Sequence, residues 1–334
     1  MSTLATRLSH ILLNFNIYYL GAICFFGIIG NFLNILVFCQ NTLKNTGCSL
    51  YFISLSIVHI IVLCIPCFSQ VIFAISEFDI ALYSLFWCKF FVYFIFNGIF
   101  LSRYYICLIS IDRWLITSFQ ARIRQLSNIS VIRRVLVITT TIWLIFNIHS
   151  AIGFTLKNQI CDISINSVYS TFYLILGLII TLLPLFILIL FTSLTLIRLF
   201  KKNVINKHTS QIQFIELNEQ NNGRAIPAQN RQHHRTSTRN FQLIKLSLIQ
   251  VSSYIIINLP KAVHILYIFI TRNSKKSPEQ QVINNFIGRM TTNLLYTHCA
   301  ITFYIYTLAS VTFRKEFLLV CQRFRRYALT FIRR

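Results

Sequence analysis

Residues 107–118, CLISIDRWLITS, place an acid, an arginine and a tryptophan at the close of a run too apolar for most soluble proteins. An ionised pair such as Asp112 and Arg113 can sit at such a boundary when it keeps access to water while pointing into a helix bundle. The plainer reading is an arginine that snorkels to lipid headgroups. The rest of the chain favours a membrane setting for either. Charged residues make up only 12% of the 334, about half of what a water-soluble chain carries. Hydrophobic residues make up 55% and mean hydropathy is +0.65, which argues against water as the sole solvent.

Working outward, the spacing predicts seven apolar spans, since a bilayer core needs about 20 such residues per helix. They run over residues 17–39, 49–73, 90–111, 135–156, 168–197, 246–270 and 286–310. Residues 1–16 show no secretory-signal pattern, so the first helix is expected to act as its own uncleaved insertion signal. Lysine and arginine divide unevenly between the two sets of connections. One set, with Lys44, Arg113, Arg122, Arg124, Arg133, Arg134, residues 198–245 and the C-terminal tail, holds 22 of the 31. Flanking cations resist translocation, so this set is expected to be cytoplasmic and the N-terminus extracellular. That distribution accounts for the formal net charge of +23 without a nucleic-acid partner.

Residues 200–240 are rich in Asn, Gln and charge, and a mobile cytoplasmic loop is expected there. Arg235-Thr-Ser-Thr-Arg239 within it reads as a kinase target or as an unmodified solvated stretch. His208, His233 and His234 have the spacing of no closed metal site, and no metal or cofactor is expected.

Cys88 lies 25 residues before Arg113, and Cys161 lies in the following connection on the same side. With these in place, the chain resembles the rhodopsin-like (class A) family of G-protein-coupled receptors. The family's first-helix signature matches Gly30-Asn31, its acid-arginine-aromatic motif matches Asp112-Arg113-Trp114, and its fourth-helix tryptophan matches Trp143. The prolines of helices five and six match Pro184 and Pro260, and TFYIYTLASVTFRKEF (302–317) is similar to the helix-seven ending that leads into helix eight. The resemblance implies an all-α membrane protein, a seven-transmembrane helix bundle with a short amphipathic eighth helix. Its parts would be an extracellular N-terminus (1–16), a receptor domain (17–310), and helix eight with a cytoplasmic tail (311–334). It also implies a Cys88–Cys161 disulfide and multi-pass placement in the plasma membrane among lipids. The partners would be a heterotrimeric G protein and an extracellular ligand. Arg113 would pair with Asp112 at rest, Tyr306 would approach it on activation, and Pro260 would allow helix six to swing.

Departures from the family pattern carry expectations of their own. His59 stands where the family holds sodium with an aspartate, so a polar core of Asn31, His59, Ser102, His298 and Thr302 is expected instead, its histidines either neutral or titrating. Arg239 and Asn240 stand where many members have an acid that clamps the helix-three arginine, which predicts raised basal activity. Thr192 replaces an activating tyrosine, and Asn258 replaces a tryptophan that contacts ligand. Ile95 in place of an aspartate argues against an amine ligand, and Tyr296 in place of a lysine argues against retinal. Cations mid-membrane cost roughly 2.5 to 3.5 kcal/mol each, so Arg103 and Lys261 should face the bundle interior. Arg103 is expected to bond to carbonyls. Lys261, His264 and Arg289, with Tyr296 nearby, would receive an acidic group, unless Lys261 snorkels outward. The aromatic helix-seven ending favours a peptide ligand.

Cys321 reads as a palmitoylation site or a free thiol. Cys64-Ile-Pro-Cys67 reads as small-residue packing at a proline kink rather than a redox pair. No enzyme is expected, because the acids lie in loops or at helix ends and no Gly-x-Ser-x-Gly occurs. A transporter or channel remains the alternative, with Arg103, Lys261 and the histidines along its path.

Overall fold

A computed structural model describes residues 3–44, 46–76, 84–157, 160–163, 167–219, 228–272 and 274–332, with side chains omitted at a few segment ends and over 203–241. Among the described residues, six helices are long and apolar enough to cross a membrane: Leu4–Phe38, Gly47–Ser76, Leu85–Ile116, Ile129–Gly153, Val168–Lys202 and Gln242–Ile270. The seventh, Pro278–Ala309, joins that count only together with Val311–Arg326, from which it is bent by 104°. Its own apolarity is diluted by Asn293, His298 and Thr302, all of which are buried in the bundle. A helix whose polar residues face its neighbours and not the lipid can still span, because the protein and not the bilayer solvates them. The chain is therefore a multi-pass membrane protein.

The seven spans form a closed arrangement in which the first packs on the second and seventh, and the third touches the second, fourth, fifth and sixth. Close approach between the first and seventh spans depends on Gly27. A Cβ built there would lie 2.6 Å from that of Ala300. Large apolar side chains such as Phe25, Phe32, Ile142 and Phe186 point outward, as a lipid-facing surface requires.

Helix ends follow from local chemistry. The seventh helix opens with a capping box in which Ser277 and Gln280 satisfy each other's backbone donors, with Pro278 just inside. It stops where Ser310 turns extended, and the Ser310 hydroxyl then accepts from the Phe313 amide to start the next helix. That helix, Val311–Ile332, buries Phe313 and Val320 and exposes Arg314, Lys315, Arg323, Arg325 and Arg326. It is amphipathic, as expected for an eighth helix.

Several helices run beyond the expected spans, the third covering Leu85–Ile116 and the seventh beginning at Pro278, and two boundaries change what an element does. Helix begins at Thr3 and continues through a π-helical turn, Phe15–Leu20, so residues 3–16 extend the first helix instead of preceding it. Its packing explains this: Leu12 is buried, and Asn16 accepts a hydrogen bond from Asn293 of the seventh span at 3.0 Å. The fourth helix ends at Gly153, not at residue 156, because Phe154–Lys157 (β1) pairs antiparallel with Ile160–Ile163 (β2). Phe154 packs on Cys88 and Val92 of the third span, so its apolarity serves the hairpin and not the bilayer. The residues expected to form a mobile loop, 200–240, lie largely outside those described with side chains. The backbone is helical through Glu219 and again from Ala228.

Candidate functional site

One end of the bundle is tied by the Cys88–Cys161 disulfide, whose Cα atoms are 5.6 Å apart. It fastens β2 to the start of the third span. The ring of Phe96, about two turns further along that span, lies 6.0 Å from Phe154 of β1 and 5.5 Å from Tyr173 of the fifth span. Phe96 and Tyr173 line one wall of a cavity of about 430 Å3 among the third, fourth, fifth, sixth and seventh spans. That volume falls in the usual range for small-ligand sites, about 300–1,000 Å3. Ile95, Lys261 and His264 line it, as the sequence suggested.

Three other residues assigned to this site are not brought to it. Arg289 is exposed. It stands three residues before Thr292, which does line the cavity, and a rotation of roughly 60° around the helix separates the two. Tyr296 is buried elsewhere and accepts a hydrogen bond from Gln70 of the second span at 3.1 Å. Asn258 turns back to donate to the Tyr254 carbonyl of its own helix at 3.0 Å.

Lys261 does not snorkel. Its Nζ donates to the Gly288 carbonyl at 3.2 Å and the Thr292 hydroxyl at 2.9 Å. Arg103 lines the same cavity, and its Nη1 donates to the Ile180 carbonyl at 3.3 Å and the Thr181 hydroxyl at 3.0 Å. The carbonyl bonding expected of Arg103 is thus present, but its place in the cavity wall was not anticipated. Helical spacing could have shown it, since Arg103 follows Ile95 by eight residues, about two turns, on the same face. His149, whose Nδ1 bonds the Tyr169 hydroxyl at 3.1 Å, and Tyr173 also line the cavity and carry no such periodic signal.

In the middle of the bundle the polar residues gather as expected, in two sets. Asn31 donates to the Gly27 and Cys299 carbonyls, both at 2.8 Å, and accepts from Thr302 at 3.3 Å. His59 bonds Ser102 at 2.9 Å, His298 bonds Gln250 at 3.0 Å, and the two imidazoles meet edge to face with centroids 5.6 Å apart. Gln250 was not anticipated, because nothing in its own helix marks it as polar-core. The Cys299 thiol joins the histidines, with ligand atoms of all three within 4.8 Å of one another. Cys67 approaches Cys24 of the first span, sulfur to sulfur at 2.8 Å, and not Cys64, which is exposed.

At the opposite end Arg113 and Asp112 form the one ion pair among the described residues, and both are buried. Asp112 also accepts from the Ser127 hydroxyl. Trp114 is covered by the Arg198 guanidinium at 4.3 Å, which also donates to its carbonyl at 2.9 Å. Tyr306 stands apart from this pair, enclosed by the rings of Phe38, Phe52 and Phe313. Pro260 lies within an unbroken helix, Ala228–Ile270. Arg239 and Asn240 lie outside the residues whose side chains are described. Cys321 is exposed on the eighth helix.

A seven-span bundle with a disulfide-rimmed cavity at one end and a buried acid–arginine pair at the other has the form of a seven-helix membrane receptor. Residues 30–306 match the family model described as 7 transmembrane receptor (rhodopsin family), and the chain belongs to that family. A comparison with curated proteins finds no match.

Proposed function

We propose that this receptor carries an extracellular ligand signal across the plasma membrane to a heterotrimeric G protein. In this reading the cavity faces the outside, the Arg113 end and the eighth helix face the cytoplasm, and the ligand is a peptide whose end enters the cavity while the remainder rests on the hairpin.

The observation that carries the reading is the state of Arg113. It is buried, paired to its neighbour Asp112, and lines a narrow gap toward the fifth and sixth spans with Thr192, Thr195 and Ser247. Releasing that pair would free a guanidinium, five donors with no acceptor, at a surface where a partner can offer carbonyls. Tyr306, now held among aromatic rings, would be the residue that moves to it, and Pro260 would supply the weak point at which the sixth helix bends. Asn31, His59, Ser102, His298 and Thr302 would couple the two ends, and Cys321 would take a lipid anchor.

Expressing the full chain with a panel of G-protein dissociation reporters tests this. Activation above mock-transfected cells that vanishes in Arg113→Ala supports it. A transporter or channel would instead give charge-translocation currents that survive Arg113→Ala, and such currents without reporter activation would overturn the receptor reading.

A further inference from the structure

Arg103 and Lys261 put two cations on the wall of one cavity, and no aspartate or glutamate lines it among the described residues. Lys261 has acceptors for two of its three ammonium hydrogens. Arg103 is 6% exposed, and every hydrogen bond it makes leaves from Nη1. Its buried Nε–H has no acceptor, and Nη2 makes no hydrogen bond among the described residues. The Nε–Nη2 edge is the planar fork that receives the two oxygens of a carboxylate side by side. Apart from His149, His264, Thr181 and Thr292, the rest of the lining is mainly aliphatic and aromatic, including Ile99, Phe100, Ile265 and Leu295.

We infer that Arg103 and Lys261 form a subsite for the carboxylate of an otherwise apolar ligand, with the carboxylate on the free edge of Arg103 and the Lys261 ammonium as its second counter-charge. The apolar body then lies along the aromatic wall. Such a carboxylate can come from a long-chain fatty acid or from the C-terminus of an apolar peptide. The inference depends on the receptor reading only in taking this cavity as the ligand site.

Full-length chain in lipid nanodiscs provides the test, with melting temperature followed against four probes: oleate, methyl oleate, and an apolar hexapeptide pool with free or amidated C-termini. The free carboxylate of one pair is expected to raise the melting temperature while its neutral counterpart does not, and the pair that responds identifies the source. In Arg103→Gln the concentration for half-maximal shift should rise about tenfold or more, as loss of a charged hydrogen bond implies. Arg103→Lys, which keeps charge but loses the fork, should fall between. Lys261→Gln, at a less buried position, should also weaken the response. Equal shifts from acid and neutral probes, no shift from either carboxylate, or a folded Arg103→Gln with the parent's response would each overturn the subsite. Carboxylate-selective binding without any G-protein reporter response would break the transducer reading and leave the subsite standing.

Discussion

The middle and the end of the third span use arginine in opposite ways. Arg103 and Arg113 lie ten residues apart on one helix, roughly 15 Å along its axis. Arg103 has backbone and hydroxyl acceptors for one nitrogen, no acid beside it among the described residues, and a cavity in front of it. Arg113 is held by Asp112, which is itself held by Ser127, beside only a narrow gap. A cation without a counter-ion in a low-dielectric setting favours an incoming anion. A cation already paired must first lose its partner, so it responds to rearrangement of the helices and not to simple encounter. One helix therefore carries an open charge near its middle and a latched charge near its end.

The largest expected effect comes from breaking the latched end alone. Arg113→Ala should reduce G-protein reporter activation to mock levels, while probe-dependent melting shifts at the cavity persist within about twofold. If cavity binding collapses too, the ends are not separable as described. Asp112→Asn should act in the other direction, raising reporter activity without ligand, because the neutral amide holds the guanidinium less strongly. Unchanged or lower basal activity at equal surface expression would mean that this pair is not the latch.

The open end is held by its rim. Cys88→Ser should lower unfolding stability by about 2–5 kcal/mol and weaken probe binding, with the Arg113 pair still formed. A variant with the parent's melting temperature would show that the hairpin is held by Phe154 and Tyr173 packing instead. Between the ends, Gly27→Val should cost about 1–3 kcal/mol through overpacking against Ala300. The smallest effect is expected at the histidines. Each of His59 and His298 is fully buried, and their bonded neighbours Ser102 and Gln250 are uncharged. Reporter activity of the parent and of His59→Asn should therefore follow the same course between about pH 5.5 and 8. A pH step present only in the parent would show that the cluster titrates and links the two ends.

Much of this was legible in the chain before folding. Seven apolar runs, the order Gly30-Asn31, Asp112-Arg113-Trp114, Trp143, Pro184 and Pro260, and the polar residues Asn31, His59, Ser102, His298 and Thr302 all fall where the bundle uses them. Apolarity and spacing along a helix are properties of the segment itself, so they can be read without neighbours. The hairpin was hidden because Phe154 and Leu156 look like more of the fourth span. Only the pairing with β2, under the Cys88–Cys161 tie, and the packing of Phe154 on the third span make them a strand.

The sequence by itself determined that this chain crosses a membrane seven times and which residues stand at each level, because length and apolar content decide what a bilayer accepts. Tertiary structure alone decided which of those residues share a site. Arg289 turned outward, Tyr296 joined Gln70, Asn258 bonded its own helix, and Arg103 entered the cavity. The reason is rotational. Each residue advances a helix by about 100°, and the π-helical turns at Phe15–Leu20 and Leu63–Cys67 alter that count. The facing of a side chain is therefore set by how neighbouring helices pack against one another.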